Sequence, residues 1–238
     1  MLKITLFILS IFDKIYQKKI IKEFYKIFNK NINTVFDVGS HKGEFIKLIL
    51  NNFNAEKIYS FEPSEKNYKI LCQNIKNMNL GDDKIYLNNF ALGKTNENRK
   101  FKQMYESSSS TLSNINTNTK YFKRKNFLLN FGFQSKTFDE VIIKIKDGLS
   151  FLEEKKINQI DLLKIDTEGH EYFVIKGFGN SLSKIKVIFF EHHYDKMIMK
   201  EYTFSDIHNH LVLKGFVPHS KFKMPFRKSF EYIYINKN

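Results

Sequence analysis

The chain has 238 residues, of which 42% are hydrophobic, and this length and composition are typical of one α/β domain with a sizeable core. Lys and Arg number 39 against 25 Asp and Glu, and the resulting net charge of +14 favours an anionic partner, although a compositional bias toward Lys, Asn and Ile accounts for the same charge. The single cysteine, Cys72, excludes an internal disulfide and a cysteine-based zinc site.

The first 30 residues are predicted to form a basic amphipathic helix that precedes a domain spanning residues 31–238. Its apolar run, Ile4 to Phe12, is much shorter than the roughly 20 residues that cross a bilayer. No small-residue cleavage site follows, so a signal peptide is not expected either. We expect the helix to pack on the domain or on a second subunit, and peripheral contact of residues 1–28 with an anionic membrane is the alternative.

After residue 30, short β-rich runs alternate with longer helical stretches, as in βαβ units. The pattern predicts a doubly wound, mostly parallel α/β sheet. Residues from 93 to about 134 are polar and are predicted to form a loop or lid, with order resuming at 135. The predicted strands are 33–39, 56–63, 83–92, 157–166, 185–193 and 230–237, and the predicted helices are 43–53, 64–80, 171–184 and 203–216.

The turn after the first predicted strand, VFDVGSHKGEF, has the composition of a ligand-binding loop. Gly39 and Gly43 let the backbone approach a ligand closely, and the following helix offers free N–H groups. Glu62 ends the second strand about twenty residues further on, where a Rossmann-like site needs a carboxylate for ribose hydroxyls. The dinucleotide fingerprint G-x-G-x-x-G is absent, so we predict a nucleoside without a pyrophosphate. The alternative is a glycine turn that binds nothing.

These residues resemble the S-adenosylmethionine-dependent class I methyltransferases and, among them, the FkbM family. The resemblance runs from about Thr34 to Tyr194 and rests on FDVGSHKGEF, YSFEPSEKNYKIL, NNFALG, SSSSTLS, KTFDEVI and, above all, DLLKIDTEGHEYFVIKGF. It implies a seven-stranded sheet with helices on both faces, and S-adenosylmethionine as cofactor. The cofactor-binding residues that it implies are Asp37, Gly39, Ser40, His41, Gly43, Glu62, Asn89, Phe90 and Ala91.

Acidic side chains follow two of the predicted strands. Asp166 and Glu168 come after one, and Glu191 and His192 end the next. Because the carboxyl ends of parallel strands meet at one edge of a sheet, both groups are expected to flank the transferred methyl group. One hypothesis is general-base catalysis, in which Asp166 or Glu168 takes the acceptor proton and His192 or His170 assists. The predicted catalytic residues are therefore Asp166, Glu168 and His192.

Two other hypotheses explain the same acids. Asp166, Glu168 and Glu191 are candidate ligands of a divalent metal such as Mg²⁺ or Mn²⁺, which would lower the pKa of an acceptor hydroxyl. Alternatively the acids are structural: Asp166 caps the next helix, while Glu168 and Glu171 interact favourably with its N-terminal dipole. The sequence leaves the three hypotheses open.

The resemblance implies methylation of a hydroxyl on a sugar or another small molecule. The positive charge favours an anionic acceptor, such as a nucleotide-linked, phosphorylated or lipid-linked precursor of a surface glycan. An RNA methyltransferase also suits this charge, but no N-P-P-Y-like tetrapeptide follows the fourth strand, so nucleic acid is not favoured. A non-catalytic binding module is the third alternative. We expect a cytoplasmic protein, at the inner face of the membrane if the first helix contacts lipid, and a homo-oligomer stays open.

Overall fold

The computed structural model describes residues 2–79, 83–105, 110–120, 122–123, 138–225 and 227–238, with side chains from residue 15 onward. The first elements are α1 (Leu2–Phe28), β1 (Asn31–Val38), α2 (Glu44–Asn52), β2 (Asn54–Phe61), α3 (Glu65–Lys76) and β3 (Ile85–Asn88). They are followed by β4 (Ala91–Gly93), β5 (Glu97–Met104), β6 (Asn114–Ile115), β7 (Phe138–Asp147), α4 (Gly148–Glu154) and β8 (Ile160–Ile165). The last elements are α5 (Glu171–Gly177), a 3-10 helix (Gly179–Lys184), β9 (Ile185–His193), β10 (Ile198–Met199), α6 (Phe204–Leu213), β11 (Phe216–Lys223) and β12 (Ser229–Asn236).

The main sheet has seven strands in the order β11-β12-β9-β8-β1-β2-β3. β12 pairs antiparallel with β9 and β11, and the other pairs of neighbours are parallel. The chain builds outward from β1 through β2 to β3, then returns to the other side of β1 with β8 and β9. Ligands of open α/β sheets bind at such a switch point, beyond the carboxyl ends of the strands. The predicted doubly wound, seven-stranded sheet is confirmed.

Helices cover both faces of this sheet. Successive apolar side chains along one strand point alternately to the two faces. On β9, Phe189 belongs to the core under α1 and α2, whereas its neighbour Phe190 belongs to the core under α5 and α6. This alternation follows from the two-residue repeat of a strand. Both faces of the central strands are therefore apolar, and polar side chains in them require a specific partner.

Helix α1 packs on the first of these faces. Tyr16, Ile20, Ile21 and Phe24 are buried at helical spacing, and the Phe24 ring meets Phe189 edge-on at 5.3 Å. The lysines on the opposite side of the helix, Lys18, Lys19, Lys22 and Lys26, are exposed. Among the described residues, no helix is long and apolar enough to span a membrane.

The prediction of a loop from residue 93 to about 134 is wrong for Glu97–Met104, because these residues form strand β5. This strand pairs antiparallel with β7, and β4 completes a second, three-stranded sheet. The sequence ENRKFKQM hides the strand because its first four residues are exposed and only Phe101 and Met104 are buried. Ser107–Ser109 of the serine run, and residues 124–137, lie outside the described residues.

Strand β11 and helix α4 are among the other elements that were not predicted. Strand β11 lies at the edge of the main sheet, where its sequence FVPHSKFK is mostly exposed and contains a bulge between Pro218 and Ser220. Proline and a bulge are tolerated there because an edge strand leaves one side unpaired. Helix α4 follows β7 directly, and the Asp147 side chain caps it by accepting from the Ser150 N–H at 2.7 Å.

Candidate functional site

A cavity of about 350 Å³ opens at the carboxyl ends of β1, β2, β8 and β9. Helix α1 and the residues Met224, Arg227 and Glu231 complete its walls. Proteins bind small molecules in cavities of this size. The predicted site residues that line it are Gly39, Ser40, His41, Glu62, Ala91, Asp166, Glu168 and Glu191, and His170 joins them.

Glu62 is buried at one end of the cavity and is held by backbone donors. Its two oxygens accept hydrogen bonds from the N–H groups of His41 at 2.8 Å and Ser64 at 2.9 Å. Burial raises the pKa of Glu62 to about 7, and the two N–H donors oppose that shift. A carboxylate can accept about four hydrogen bonds, so Glu62 has capacity for a ligand hydroxyl. It stands where a ribose is expected.

The two glycines of the turn are required by the backbone. Gly39 has φ +79°, and a Cβ there would lie 1.8 Å from the carbonyl oxygen of Asp166. Gly43 has φ +90° at the N-cap of α2, and its Cβ would lie 2.9 Å from Leu71. Gly39 lines the cavity, whereas Gly43 does not, so the predicted ligand contact of Gly43 is not supported.

Ser40 and His41 shape the same turn. The Ser40 hydroxyl donates to the Asp37 carbonyl at 2.7 Å and accepts from the Ser60 hydroxyl at 2.7 Å. His41 has φ +49° and places its ring nitrogen Nδ1 3.2 Å from Glu44. Both residues line the cavity, and their contact with a cofactor stays a prediction.

Asp37 lies beneath the cavity and is paired with Lys164. Lys164 Nζ is 3.1 Å from Asp37, 3.7 Å from Asp166 and 3.0 Å from the Gly39 carbonyl oxygen, to which it donates. Burial by itself would lower the pKa of Lys164, but Asp37 and Asp166 raise it above its usual value. Burial raises the pKa of Asp37, and Lys164 opposes this shift. Asp37 therefore supports the turn from below and does not reach the cavity.

Asn89 and Phe90 also lie behind the lining rather than in it. The Asn89 amide donates to the carbonyl of Glu62 at 2.9 Å, and the Phe90 ring packs edge-on against Phe61 at 5.7 Å. Only Ala91 of the predicted adenine-side residues lines the cavity. The direct cofactor contacts predicted for Asn89 and Phe90 are not supported by this geometry.

On the opposite side of the cavity, His193 bridges two carboxylates. Its Nε2 is 3.2 Å from both Glu168 and Glu191, and Nδ1 is 3.6 Å from Asp195. Burial by itself would lower the pKa of His193, but Glu168 and Glu191 raise it well above its usual value. Burial and then the negative charge of Asp166 raise the pKa of Glu191 to about 8. An imidazolium thus lies between the acids that follow β8 and β9.

His192, predicted as catalytic, points to the other face of the sheet. Its ring lies 4.9 Å from that of Tyr194 and 5.8 Å from that of Phe204, and burial lowers the pKa of His192 to about 3. It does not line the cavity. Adjacent residues of a strand face opposite sides, and the neighbour His193 is the one beside the acids. The predicted catalytic role of His192 is not supported.

The loop Asp166–His170 is held from two directions. Glu171 accepts hydrogen bonds from the N–H groups of Thr167 at 3.2 Å and Gly169 at 2.9 Å, and Tyr202 donates to its other oxygen. The Thr111 hydroxyl donates to the carbonyl of Glu168 at 2.5 Å. Glu168 has φ +51°, a costly conformation for a residue other than glycine. The end of the serine run therefore fixes the backbone that carries Glu168.

This arrangement corrects part of the structural hypothesis. Helix α5 begins at Glu171 with His170 as its N-cap, so Asp166 does not cap it. Asp166 instead lines the cavity with 37% of its side chain exposed. His170 is buried against Phe173, and burial lowers its pKa to about 3. Of the acids in this motif, Glu171 is structural, and Asp166 and Glu168 face the cavity.

A metal site is not supported in the described part of the chain, where no three His, Cys, Asp or Glu side chains are placed to hold an ion. The predicted ligands Asp166, Glu168 and Glu191 already have protein cations beside them. Lys164 is near Asp166, and His193 contacts Glu168 and Glu191. These acids are therefore paired with cations of the protein itself.

Tyr16 and Glu231 are among the lining residues that the sequence interpretation missed. Tyr16 of α1 donates a hydrogen bond of 2.6 Å to Glu231 of β12, and Glu231 is the cross-strand neighbour of Glu191. Burial raises the pKa of Glu231 to about 7. A single acid within the apolar run FEYIYI was the available signal for Glu231. No local pattern distinguishes Tyr16 from the other aromatic residues of α1.

Comparison with known protein families decides the class of this site. The family model described as "Methyltransferase FkbM domain" matches residues 37–218, which is more than half of the chain. The chain belongs to the FkbM methyltransferase family. It is thus a methyltransferase, of a family that depends on S-adenosylmethionine, and the resemblance seen in the sequence is confirmed. No curated protein matches the chain.

Solved structures share the fold of this FkbM methyltransferase at low sequence identity. The FkbM methyltransferase from Methylobacillus flagellatus KT matches with a TM-score of 0.52 and 13% identity, over 86% of this chain and 44% of that one. M. capricolum TrmK, bound to S-adenosyl-homocysteine, matches with a TM-score of 0.51 and 15% identity, over 92% of this chain and 67% of that one. Synechocystis PCC 6803 magnesium protoporphyrin IX methyltransferase with bound S-adenosylmethionine matches with a TM-score of 0.51 and 9% identity, over 96% of this chain and 84% of that one. The chain spans less than half of its structural relative in the FkbM family.

Proposed function

We propose that this chain is an O-methyltransferase that transfers the methyl group of S-adenosylmethionine to a hydroxyl of a sugar or similar small molecule, an anionic precursor of a surface glycan. The observation that supports the proposal is that the two ends of one cavity are lined by different chemical groups. Glu62 forms one end with capacity for a ribose hydroxyl, and a carboxylate–imidazole cluster at Glu168, Glu191 and His193 forms the other.

The residues present fit the cofactor. Glu62 is buried, is oriented by two backbone N–H groups and faces the cavity. It would hold the ribose, with the turn Gly39–His41 beside it. Because Glu62 follows β2 whereas Asp166 and Glu191 belong to β8 and β9, the remainder of the cofactor would extend across β1 toward these acids. When bound, S-adenosylmethionine supplies a methyl group already activated by its sulfonium charge.

The acids beyond β8 and β9 would orient the acceptor and take its proton. The acceptor hydroxyl must lie in line with the methyl carbon at about 3–3.5 Å, and its proton must leave as the new O–C bond forms. Asp166, Glu168 and Glu191 all line the cavity on this side. A base acts best when its pKa is near the operating pH, and the pKa of Glu191 is raised to about 8. Glu191 therefore joins Asp166 and Glu168 as a proton acceptor.

The anionic part of the acceptor would remain at the mouth of the cavity. The inner wall carries Glu191 and Glu231, so a phosphate or carboxylate there would be repelled. Arg227, an exposed lining residue between β11 and β12, would attract it at the entrance. The same argument disfavours the polyanionic backbone of RNA along the inner wall, although the net charge of +14 suits RNA.

The direct test is methyl transfer from radiolabelled S-adenosylmethionine to UDP-glucose, UDP-N-acetylglucosamine, UDP-glucuronic acid and total RNA in parallel. The proposal expects label in a sugar, and mass spectrometry of the product should show one added CH₂ group on an oxygen. Label in RNA alone would overturn the proposal. Methylation of an amine would overturn the O-methyl assignment while leaving the enzyme class intact.

Contact with an anionic membrane is part of the same proposal, because a lipid-linked acceptor would lie there. The exposed lysines of α1, at positions 18, 19, 22 and 26, support it. Sedimentation with phosphatidylserine vesicles, and none with phosphatidylcholine vesicles, is the expected result. If the protein sediments with neither kind of vesicle, membrane contact is removed from the proposal.

A further inference from the structure

The part of the cavity farthest from Glu62 is built by segments that the family match does not include. The family model ends at residue 218 and begins at 37, whereas Tyr16 and Ile20 belong to α1 and Glu231 belongs to β12. Elements outside a shared domain are where individual members of a family can differ in the partner they accept. This wall is therefore the place to look for acceptor specificity.

Strand order fixes the distance of this wall from the nucleoside end. Glu62 follows β2, and Glu231 lies on β12, four strand positions away across β1, β8 and β9. At about 4.8 Å between neighbouring strands, the separation is roughly 19 Å. The methyl group must lie between these ends, near the acids of β8 and β9. A group bound beside Glu231 is therefore on the acceptor side.

Helix α1 is held firmly over this side of the sheet. The Tyr16 ring meets Phe222 of β11 edge-on at 6.5 Å, and Phe24 meets Phe189 of β9 at 5.3 Å. Glu23 lies 3.4 Å from His219 of β11. These contacts position Tyr16 so that its hydroxyl donates to Glu231 Oε2 at 2.6 Å. The hydroxyl is thus an orienting group for a half-buried carboxylate in the cavity wall.

Glu231 and Glu191 lie directly opposite each other on antiparallel strands and therefore face the same side. Two adjacent carboxyl groups that line a cavity present several acceptor lone pairs, and the charges of Lys164 and Arg227, which also line it, act on Glu231. Their natural ligand is a molecule rich in O–H donors, because each hydroxyl satisfies one lone pair without adding charge. An apolar group there would leave the remaining lone pairs of these acids without a donor, and a phosphate would add negative charge beside them.

We propose that Tyr16 and Glu231 form the acceptor wall of this enzyme, with Glu231 accepting a hydrogen bond from a hydroxyl of a polyhydroxylated substrate other than the hydroxyl that is methylated. Tyr16 is a positioning residue that fixes the Glu231 carboxylate. The inference rests on the proposed function and deepens it, since it assigns the substrate class to a wall made by α1 and β12.

The test uses the full chain saturated with S-adenosyl-homocysteine and three probes: UDP-glucose, UDP-N-acetylglucosamine and UDP-glucuronic acid. Binding of each probe is titrated by saturation-transfer NMR for the wild type, Glu231→Gln and Tyr16→Phe. Tyr25→Phe is the matched control, because Tyr25 is on the same helix and donates to the Asn52 carbonyl at 2.8 Å, outside the cavity. Cofactor affinity is measured separately by calorimetry with S-adenosyl-homocysteine.

At least one probe should bind the wild type, and its affinity should fall roughly tenfold or more in Glu231→Gln and Tyr16→Phe, as expected for loss of a hydrogen bond to a charged group. Affinity for S-adenosyl-homocysteine should stay unchanged in both, and Tyr25→Phe should behave as wild type. For a probe that is methylated, KM should rise more than kcat falls. A merely structural role for Tyr16 would instead lower cofactor affinity and kcat together.

Unchanged probe affinity in both variants would overturn the inference, and so would a wild type that binds none of the probes. The proposed function fails by a different readout, which is the absence of methyl transfer to any sugar while RNA is labelled. Methyl transfer to a sugar with wild-type KM in Glu231→Gln would leave the proposed function standing and remove only the acceptor wall.

Discussion

Lys164 lies 3.1 Å from Asp37, and this ion pair joins β8 to β1 at the floor of the cavity, which Lys164 lines. Both side chains are buried, and the two residues are direct partners in the parallel register. Lys164 also donates to the Gly39 carbonyl and lies 3.7 Å from Asp166. One lysine therefore ties the glycine turn, the buried acid and the first acid of the cavity together.

Lys164→Met should lower the free energy of unfolding by about 3–5 kcal/mol, because it leaves Asp37 buried without its cation. Urea denaturation followed by circular dichroism measures the change. Lys57→Met, an exposed position on β2, is the control and should change stability by less than about 0.5 kcal/mol. Adding Asp37→Asn to Lys164→Met should restore part of the loss. A double variant whose loss equals the sum of the single losses would show that the pair is not coupled.

Gly39→Ala should destabilise the protein far more than Gly179→Ala, although both glycines have positive φ. The strain of a left-handed residue, roughly 1–2 kcal/mol, is common to both. At Gly39 the new Cβ would also lie 1.8 Å from the Asp166 carbonyl oxygen, whereas at Gly179 the nearest atom is 3.9 Å away. Thermal unfolding of the two variants measures the difference. Equal losses would mean that β1 and β8 separate easily at this point.

The sequence predicted what depends on local pattern. Buried strands such as Ile185–His193 matched the prediction, and Ser64 caps α3 as expected, accepting from the Asn67 N–H at 3.3 Å. Glu62 was located at the end of β2 by its distance from the glycine turn. These features are set by periodicity, capping chemistry and the fixed geometry of a βαβ unit.

The sequence could not decide which face a residue takes where a strand ends. His192 was chosen over His193, and a difference of one position reverses the face. Nor could it show that Tyr16 meets Glu231, since the two are 215 positions apart and nothing local couples them. Solvated strands such as β5 also escaped, because few of their residues are apolar and the buried ones, Phe101 and Met104, do not follow a two-residue repeat.

Glu62→Gln should weaken binding of S-adenosyl-homocysteine by roughly 10- to 100-fold, since a hydrogen bond to a charged group contributes about 1.5–3 kcal/mol. The pKa of Glu62 is raised to about 7, so in the wild type affinity should fall as the pH drops from 8 to 6 and the carboxylate is protonated. Glu62→Gln should lose this pH dependence. Calorimetry at each pH measures both effects.

The contribution of Glu62 to folding stability depends on pH in the opposite direction from the affinity for S-adenosyl-homocysteine. A carboxyl group whose folded-state pKa is raised contributes stability that is present at low pH and is lost as the pH rises through about 7. Weaker binding at pH 6 therefore cannot be attributed to a less stable fold arising from Glu62. An affinity that does not change between pH 6 and pH 8 would contradict the assignment of Glu62 to the ribose.

Thr111→Val should reduce kcat by about 10- to 100-fold with little change in affinity for S-adenosyl-homocysteine, because a small displacement of a catalytic group has effects of this size. The Thr111 hydroxyl holds the Glu168 carbonyl, and the valine keeps the shape but not the bond. Thr95→Val, at an exposed position, is the control. Steady-state kinetics with the identified acceptor gives the result, and wild-type kcat would show that the loop keeps its position without Thr111.

Glu191→Gln should lower kcat by about 10²–10⁴-fold, the usual contribution of a general base, and leave affinity for S-adenosyl-homocysteine unchanged. The side chain keeps its shape, and His193 keeps Glu168, 3.2 Å away, as a carboxylate partner in this variant. Glu154→Gln, an exposed position on α4, is the control. Since burial and Asp166 raise the pKa of Glu191 to about 8, the wild-type rate should rise as the pH increases through 8 and Glu191 ionises. Full activity in Glu191→Gln would mean that Asp166 or Glu168 is the proton acceptor. The variants Asp166→Asn and Glu168→Gln would then decide between those two, because each removes one carboxylate that faces the acceptor side of the cavity.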